Sequence, residues 1–208
     1  MKTSRKPSFN YEKDFWNKNI PVFGIDEVGR GSFAGPLVGA AVSFKKNARY
    51  KWIGKINDSK ILSPKLRIRL SEQILKNAIC FIEQVDVQTI NKIRIGKSNS
   101  LLFKRLINKV LSKYEKAHFI VDGREIVKDV NTKFIIKGDS LSLSIAAASI
   151  IAKIYRDNLM IMLSDKYPGY DLSKNKGYGT KFHQNALSKL GLSKVHRTSF
   201  NLSKFLTT

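Results

Sequence analysis

The chain has 208 residues, 42% of them apolar, and a formal net charge of +22 from 38 basic and 16 acidic residues. That length is enough to bury one sizeable core. The charge points to a polyanionic partner, nucleic acid first, because phosphates are contacted mainly by lysine and arginine. A single cysteine, Cys80, excludes an internal disulfide, and no apolar run approaches the ~18 residues needed to span a bilayer. The basic stretch from Met1 to Ser8 is followed by no apolar signal-peptide core, so a cytoplasmic protein is expected.

Residues 1–20 mix charge with Phe9, Tyr11, Phe15 and Trp16 and predict a short helix ahead of the first strand. Pro21 to Ile25 predicts that strand, ending at Asp26, and Leu37 to Phe44 predicts the second, with a glycine-rich turn over 29–36 between them. Ser63-Pro64 is a hydroxyl cap followed by proline at the first helical position, and the helix it opens runs to about Asn77. Ile79 to Val85 predicts a third strand, with Cys80 as core filler within it.

Two helices are predicted between 87 and 116, the second carrying Phe103, Ile107, Val110 and Tyr114 on one face. Phe119-Ile120-Val121 is a short buried strand that stops at Asp122. Phe134-Ile135-Ile136 is another, stopping three residues before Asp139. A long helix follows from about Leu141 to Lys166, apolar nearly all round in its first half, so it lies against a sheet. A last helix runs from about Thr180 to Leu190. The order of elements predicts a mixed sheet flanked by helices. Residues 1–165 form the expected core and 166–208 a helical C-terminal segment of the same domain. That segment carries eight Lys or Arg and one acid, Asp171, as a groove wall touching phosphates would.

Asp26, Glu27, Asp122 and Asp139 each sit at, or just past, the end of an apolar strand. Clustered carboxylates repel one another unless cations lie between them, and oxygen-only ligands suit Mg²⁺ or Mn²⁺. Two such ions roughly 3.5–4 Å apart activate water and stabilise a leaving oxygen in phosphodiester cleavage. Each acid taken alone is more readily read as a strand-end turn residue. Adjacent strand residues point to opposite faces, so Asp26 and Glu27 both reach one site only where the strand ends or bends.

Six blocks, in order, resemble the ribonuclease HII family. They are Gly24-Ile25-Asp26-Glu27-Val28-Gly29-Arg30-Gly31 with Ala34-Gly35-Pro36; Asp58-Ser59-Lys60; Val121-Asp122-Gly123; and Lys137-Gly138-Asp139 with the helix from Ile145 to Lys153 and Arg156-Asp157. Lys176-Gly177-Tyr178-Gly179-Thr180-Lys181 with His183, and His196-Arg197 with Ser199-Phe200, complete the set. Ile61 after Lys60, and Ser193-Lys194-Val195 before His196, depart from commoner forms without touching the acids.

The resemblance implies a ribonuclease H-like mixed sheet with flanking helices and a small helical C-terminal part. It implies that Asp26, Glu27, Asp122 and Asp139 are catalytic and bind two Mg²⁺ or Mn²⁺ ions. The implied substrates are RNA/DNA hybrids and duplex DNA containing ribonucleotides, cut 5′ of the ribonucleotide to leave 3′-hydroxyl and 5′-phosphate ends, as in ribonucleotide excision repair. Gly29, Arg30, Gly31 and Tyr178 match positions that read the 2′-hydroxyl, and Lys60, Lys176 and Lys181 are the expected phosphate contacts. His183 and His196 are assigned structural or phosphate-positioning roles, and Ser149 reads as packing.

Two alternatives remain at this point. A ribonuclease HIII-like enzyme shares the acids but departs from the Gly29-Arg30-Gly31 form, and a non-catalytic basic binding module would not need all four acids. A monomer is expected. The apolar spacing over 200–206 could dock a sliding clamp, though packing on the protein itself is favoured.

Overall fold

Five apolar segments pair into one mixed sheet of order β3-β2-β1-β4-β5. They are β1 (Val22–Val28), β2 (Leu37–Ser43), β3 (Ile79–Val85), β4 (His118–Asp122) and β5 (Thr132–Ile135). β2 runs antiparallel to both β1 and β3, whereas β4 runs parallel to β1 and β5. The helices are α1 (Asn10–Trp16), α2 (Pro64–Asn77), α3 (Val87–Leu111), α4 (Leu143–Lys166), α5 (Leu172–Asn175) and α6 (Lys181–Leu190). This computed structural model describes residues 6–127 and 131–206.

Alternation along the strands sorts the core into two layers. Val22, Val42, Ile120 and Ala40 pack against α4, α2 and α1 on one face. Phe23, Ile25, Phe119 and Val121 pack against α3 on the other. Helix α4 is central because its first ten residues, Leu143 to Ala152, are all buried. Gly24 lets it approach: a Cβ there would lie 2.2 Å from the Ser144 carbonyl carbon and 2.3 Å from the Ile145 nitrogen.

The start of α4 is fixed twice. Ser142 accepts a hydrogen bond from the Ile145 N–H as the N-cap. Buried Glu12, from α1, accepts from the Ser142 hydroxyl at 2.7 Å and the Ser144 N–H at 3.1 Å. The sequence offered no sign of this long-range cap, since the partners are 130 and 132 residues apart. Ser63 caps α2 as expected, with Pro64 at its first position.

Two strands differ from expectation. The first strand passes through Asp26 and Glu27 to Val28 instead of ending at Asp26. The two helices predicted after residue 87 are both present within the span α3, separated at Arg94, whose φ of 63° and ψ of 162° are not helical. The last strand lies earlier than Phe134 to Ile136, and Ile136 is left exposed. Cys80 is half-buried, and burial pushes its thiol up to about 12, in keeping with a packing role.

The C-terminal segment builds a third cluster in which Tyr170, Leu172, Ala186, Leu187 and Val195 meet Ala34 and Met160. Phe200 packs on the α3-side layer, Leu202 is buried, and Phe205 and Leu206 pack on the third cluster. The apolar spacing of the tail is therefore spent on the protein itself. Among the described residues no helix is long and apolar enough to cross a membrane.

Candidate active site

The sheet register brings the strand-end acids together. In the β1–β4 pair the last rung is Ile25 opposite Val121, so Asp26 and Asp122 follow side by side. Asp122 in turn sits opposite Ile135 of β5, and its Oδ1 accepts from the Gly138 N–H at 2.6 Å. That bond fixes the turn that carries Asp139. Asp139 is buried, and its Oδ2 lies 3.8 Å from the Lys60 ammonium.

Asp26 and Glu27 share a strand and alternate across it. The Asp26 carboxylate faces α4, where it takes a hydrogen bond from the Ser149 hydroxyl, and its Oδ1 also accepts from the Glu27 N–H at 2.8 Å. Glu27 faces α3, where Asn99 bonds it, and Arg30 lies 3.9 Å away. Because β1 runs on to Val28, both acids point to opposite sides of the sheet at its end. Among the described residues no three His, Cys, Asp or Glu side chains close to metal-holding spacing.

The acids nevertheless act on one another. Burial, then Glu27 and Asp122, raises Asp26 well above the ordinary carboxylate value. Burial raises Glu27 to about 7, with Arg30 opposing and Asp122 adding to the rise. Burial, then Asp122 and Asp58, raises Asp139. Burial alone would lower Lys60, but Asp58, Asp139, Asp26 and Asp122 together hold its ammonium above its usual value. This is an all-oxygen, mutually repelling set, and a divalent cation is the counter-charge such a set suits. The donor chemistry fits Mg²⁺ or Mn²⁺.

Ser149 was expected only to pack. Its hydroxyl instead joins the Ser59 hydroxyl at 2.8 Å and bonds Asp26, tying the Asp58-Ser59-Lys60 turn to the first acid. Steps of four and three along α4 put Ser149, Lys153 and Arg156 on one face. Lys153 Nζ and the Arg156 guanidinium carbon lie 6.0 and 5.6 Å from the Tyr178 ring centre. At 1.5 Å per residue, that helix face spans about 10 Å from the acids to the tyrosine.

Two fully buried arginines join the turns on either side of this gap. Arg156 donates to the carbonyls of Pro36 (2.9 Å), Ala34 (3.1 Å) and Lys176 (2.8 Å). Arg197 donates to Gly29 (2.7 Å), Arg30 (3.1 Å) and Gly35 (2.8 and 3.0 Å). Backbone bonds from Phe33 and Ala34 to the Gly177 carbonyl, and from Arg197 to Phe33, complete the join. Gly29 takes φ +91°, and a Cβ there would lie 2.1 Å from Arg156 Nε, so it is glycine because of the arginine beneath it. Gly31 has open space where its side chain would be.

The expected phosphate contacts divide. Lys60 and Lys181 are exposed, but the Lys176 ammonium is turned onto the Ser173 carbonyl, so in this structure it is not directed to a phosphate. Tyr178 is exposed at the surface, with its carbonyl held from within by His183. Sequence reasoning placed Arg156 and Arg197 in motifs without giving them tasks and gave Ser149 only a packing role; the signal was a charged or hydroxyl residue inside an otherwise apolar or turn segment.

The ribonuclease HII family model matches residues 23–203. The chain belongs to the ribonuclease HII family. Ribonuclease HII of Lactobacillus delbrueckii subsp. bulgaricus is 41% identical over 194 residues, covering 93% of this chain and 74% of its own length. The ribonuclease HII from a PCNA complex of Archaeoglobus fulgidus superposes with a TM-score of 0.72 at 24% identity, covering 86% of this chain and 94% of that one. Ribonuclease H2 of Pyrococcus horikoshii OT3 gives 0.71 at 20%, covering 89% and 96%. Bst-RNase HIII in complex with Mn²⁺ gives 0.65 at 22%, covering 89% of this chain and 68% of that one. These structures share the ribonuclease H-like fold. As a ribonuclease HII, the protein is a ribonuclease H enzyme, an endonuclease and hydrolase, and not a bare nucleic-acid-binding module.

Proposed function

We propose that this ribonuclease HII hydrolyses the RNA strand of RNA/DNA hybrids and incises 5′ of single ribonucleotides in duplex DNA, leaving 3′-hydroxyl and 5′-phosphate ends. The supporting observation is the placement of four mutually repelling strand-end carboxylates beside a rigid pair of turns, 29–36 and 176–178. Asp26, Asp122 and Asp139 would hold two Mg²⁺ or Mn²⁺ ions, with Glu27, which leaves β1 on its other face but lies close enough to act on Asp26, joining them past the end of the sheet. Those ions, when bound, supply a nucleophilic water at neutral pH and charge stabilisation for the phosphodiester.

The chain's own residues set the rest. Ser149 and the Glu27 N–H orient Asp26, and the Gly138 N–H orients Asp122. Lys60 balances Asp139 and faces the incoming phosphate. The backbone of Gly29, Arg30 and Gly31 and the Tyr178 hydroxyl read the 2′-hydroxyl, the group that separates RNA from DNA. Lys181 contributes to phosphate binding; Lys176 does so only by releasing Ser173. A substrate of continuous negative charge suits a net charge of +22. Segment 166–208 serves as the substrate-binding wall of the same domain, and the protein works as a cytoplasmic monomer.

The test is one gel assay. A duplex with a single ribonucleotide is incubated with the protein in Mg²⁺, Mn²⁺ or chelator, beside an all-DNA duplex and the Asp122→Asn variant. Metal-dependent cutting 5′ of the ribonucleotide, lost in Asp122→Asn, is expected. Cutting in chelator, equal cutting of all-DNA duplex, or a fully active Asp122→Asn would overturn it.

A further inference from the structure

His183 and His196 are both buried, at 0% and 1% exposure, and their Nε2 atoms lie 3.0 Å apart. Two imidazole nitrogens at that distance share one proton between them, so one ring donates and the other accepts. The flanking groups decide which. The Ser193 backbone N–H, which can only donate, points to His196 Nδ1 at 2.9 Å. His196 therefore carries its proton on Nε2 and donates it to His183 Nε2. His183 must then carry its proton on Nδ1, which lies 3.0 Å from the Tyr178 carbonyl and donates to it. The chain from Ser193 through both rings to Tyr178 has one self-consistent protonation pattern, with both rings neutral.

The chain ends on Tyr178. Its carbonyl takes the His183 ring bond and the Thr180 N–H at 2.8 Å. The His183 backbone is fixed as well, donating to the Thr180 hydroxyl that caps α6. Tyr170 packs on the His196 ring with centroids 4.7 Å apart, and Phe33 lies 5.9 Å from the His183 ring. A third proton would have to sit on His196 Nδ1, head-on to the Ser193 N–H at 2.9 Å, with the Ser193 hydroxyl, also at 2.9 Å, as the one group there that can turn to accept it. The surrounding segments offer little compensation. Among the described residues no carboxylate acts on either ring, and the one acid in 166–208, Asp171, is turned to Lys174 at 3.8 Å.

We propose that the neutral His183–His196 pair is a positioning device that sets the height of Tyr178 over the ribose, rather than a proton donor, metal ligand or phosphate contact. This rests on the assignment of Tyr178 as a reader of the 2′-hydroxyl. Neither ring touches the acids; the pair acts through the Tyr178 carbonyl. Burial lowers both imidazoles, opposed at His183 by its bond to the Tyr178 carbonyl and reinforced at His196 by His183, which takes His196 to about 4 and keeps the chain intact at neutral pH.

The test has two arms. The sequence contains three histidines, so ¹⁵N spectra of the whole protein resolve each ring. Nδ1–H at His183, Nε2–H at His196 and a coupling across the Nε2–Nε2 bond are expected from pH 7 down to about 5. A cationic ring at pH 7, or absence of that coupling, overturns the proposal. In the second arm, cleavage of a duplex with one ribonucleotide is compared with one carrying a 2′-fluoro sugar at that position. His183→Phe keeps a ring but removes both hydrogen bonds. It is expected to lower kcat/KM for the ribonucleotide about tenfold, shrink the ribose-to-fluoro ratio, and speed amide exchange at 178–180 with the strands unchanged. An unchanged ratio, or an equal loss on both sugars tracking a lower Tm, overturns the proposal. If His183→Phe does not fold, His196→Gln is judged by the same ratio, and if neither folds the spectra decide. A parent protein that ignores the single ribonucleotide sinks the Tyr178 assignment, whereas the spectra still test the pair.

Discussion

The Arg197 guanidinium donates to the Gly29 carbonyl at 2.7 Å, across 168 residues of sequence. With Arg30 and Gly35 it satisfies three carbonyls of one turn from a position with no exposure at all. Burying a guanidinium without a carboxylate is costly; burial and then Arg156 lower Arg197 to about 9. The return is a turn whose backbone cannot drift from the Tyr178 loop.

Arg197→Lys keeps the charge but offers one nitrogen where three donate. Thermal melts should show a loss of about 2–4 kcal/mol. Cleavage of the single-ribonucleotide duplex should fall about a hundredfold in kcat/KM, because small displacements at reacting distance cost that much. Duplex affinity, dominated by surface cations, should change less than about threefold. A lysine variant with parental kcat/KM would show that the turn holds its shape without the fork.

The acids make opposite demands on stability and activity. Asp26 is buried beside Glu27 and Asp122, and ionising it strains the metal-free fold. Asp26→Asn keeps an oxygen for the Glu27 N–H and removes the charge. In chelator at pH 8 the variant should melt higher than the parent, by about 1–2 kcal/mol, while cutting nothing in Mg²⁺. The sign follows from the raised value: ionisation disfavours the folded state as pH rises above about 4, so the gain should shrink at pH 5. A lower melting temperature at pH 8 would mean that Asp26 contributes more through its hydrogen bonds than it costs in repulsion.

Much of this was legible in the chain. Apolar runs stopping at or shortly before Asp26, Asp122 and Asp139 marked three of the five strands, because a buried strand has a sharp compositional edge. The capped start at Ser63-Pro64 was equally clear, because capping is local. What escaped was long-range: Glu12 reaching the start of α4, Ser149 joining Ser59 to Asp26, and arginines serving carbonyls more than a hundred residues away. A carbonyl has no sequence identity, so its partner leaves no pattern. The face of Glu27 was missed for a related reason. Strand β1 gains a partner in β2 as far as Val28, and that pairing keeps it extended past the expected stop at Asp26.

Gly24 controls the distance between β1 and α4. Gly24→Ala would place a methyl 2.2 Å from helix backbone, which cannot rotate away as a side chain could. A loss of about 3 kcal/mol or more is expected in denaturant titration. Moving α4 also moves Ser149 from Asp26 and Arg156 from the turns, so residual activity should fall even where the variant remains folded. By contrast, Gly31→Ala meets nothing and should leave stability within about 0.5 kcal/mol, a difference that circular dichroism melts will resolve.

Stability should also carry a histidine signature on its acid side. His196 is lowered from an ordinary 6.5 to about 4, by burial first and then by His183. Above 6.5 the ring is neutral in both folded and unfolded chains. As pH falls from 6.5 toward 4 the unfolded chain takes up a proton that the folded one refuses, so stability declines over that window, by on the order of 3 kcal/mol at most. The raised acids pull the other way over part of it: Glu27 gains stability as pH falls from about 7. Comparing the parent with His196→Gln, in chelator, cancels the acids and leaves the ring. The difference in unfolding free energy between the two proteins should shift in favour of the variant between pH 6.5 and 4 and stay flat above 7. A difference that is flat throughout would mean that His196 titrates normally in the folded protein and that the paired protonation pattern does not hold.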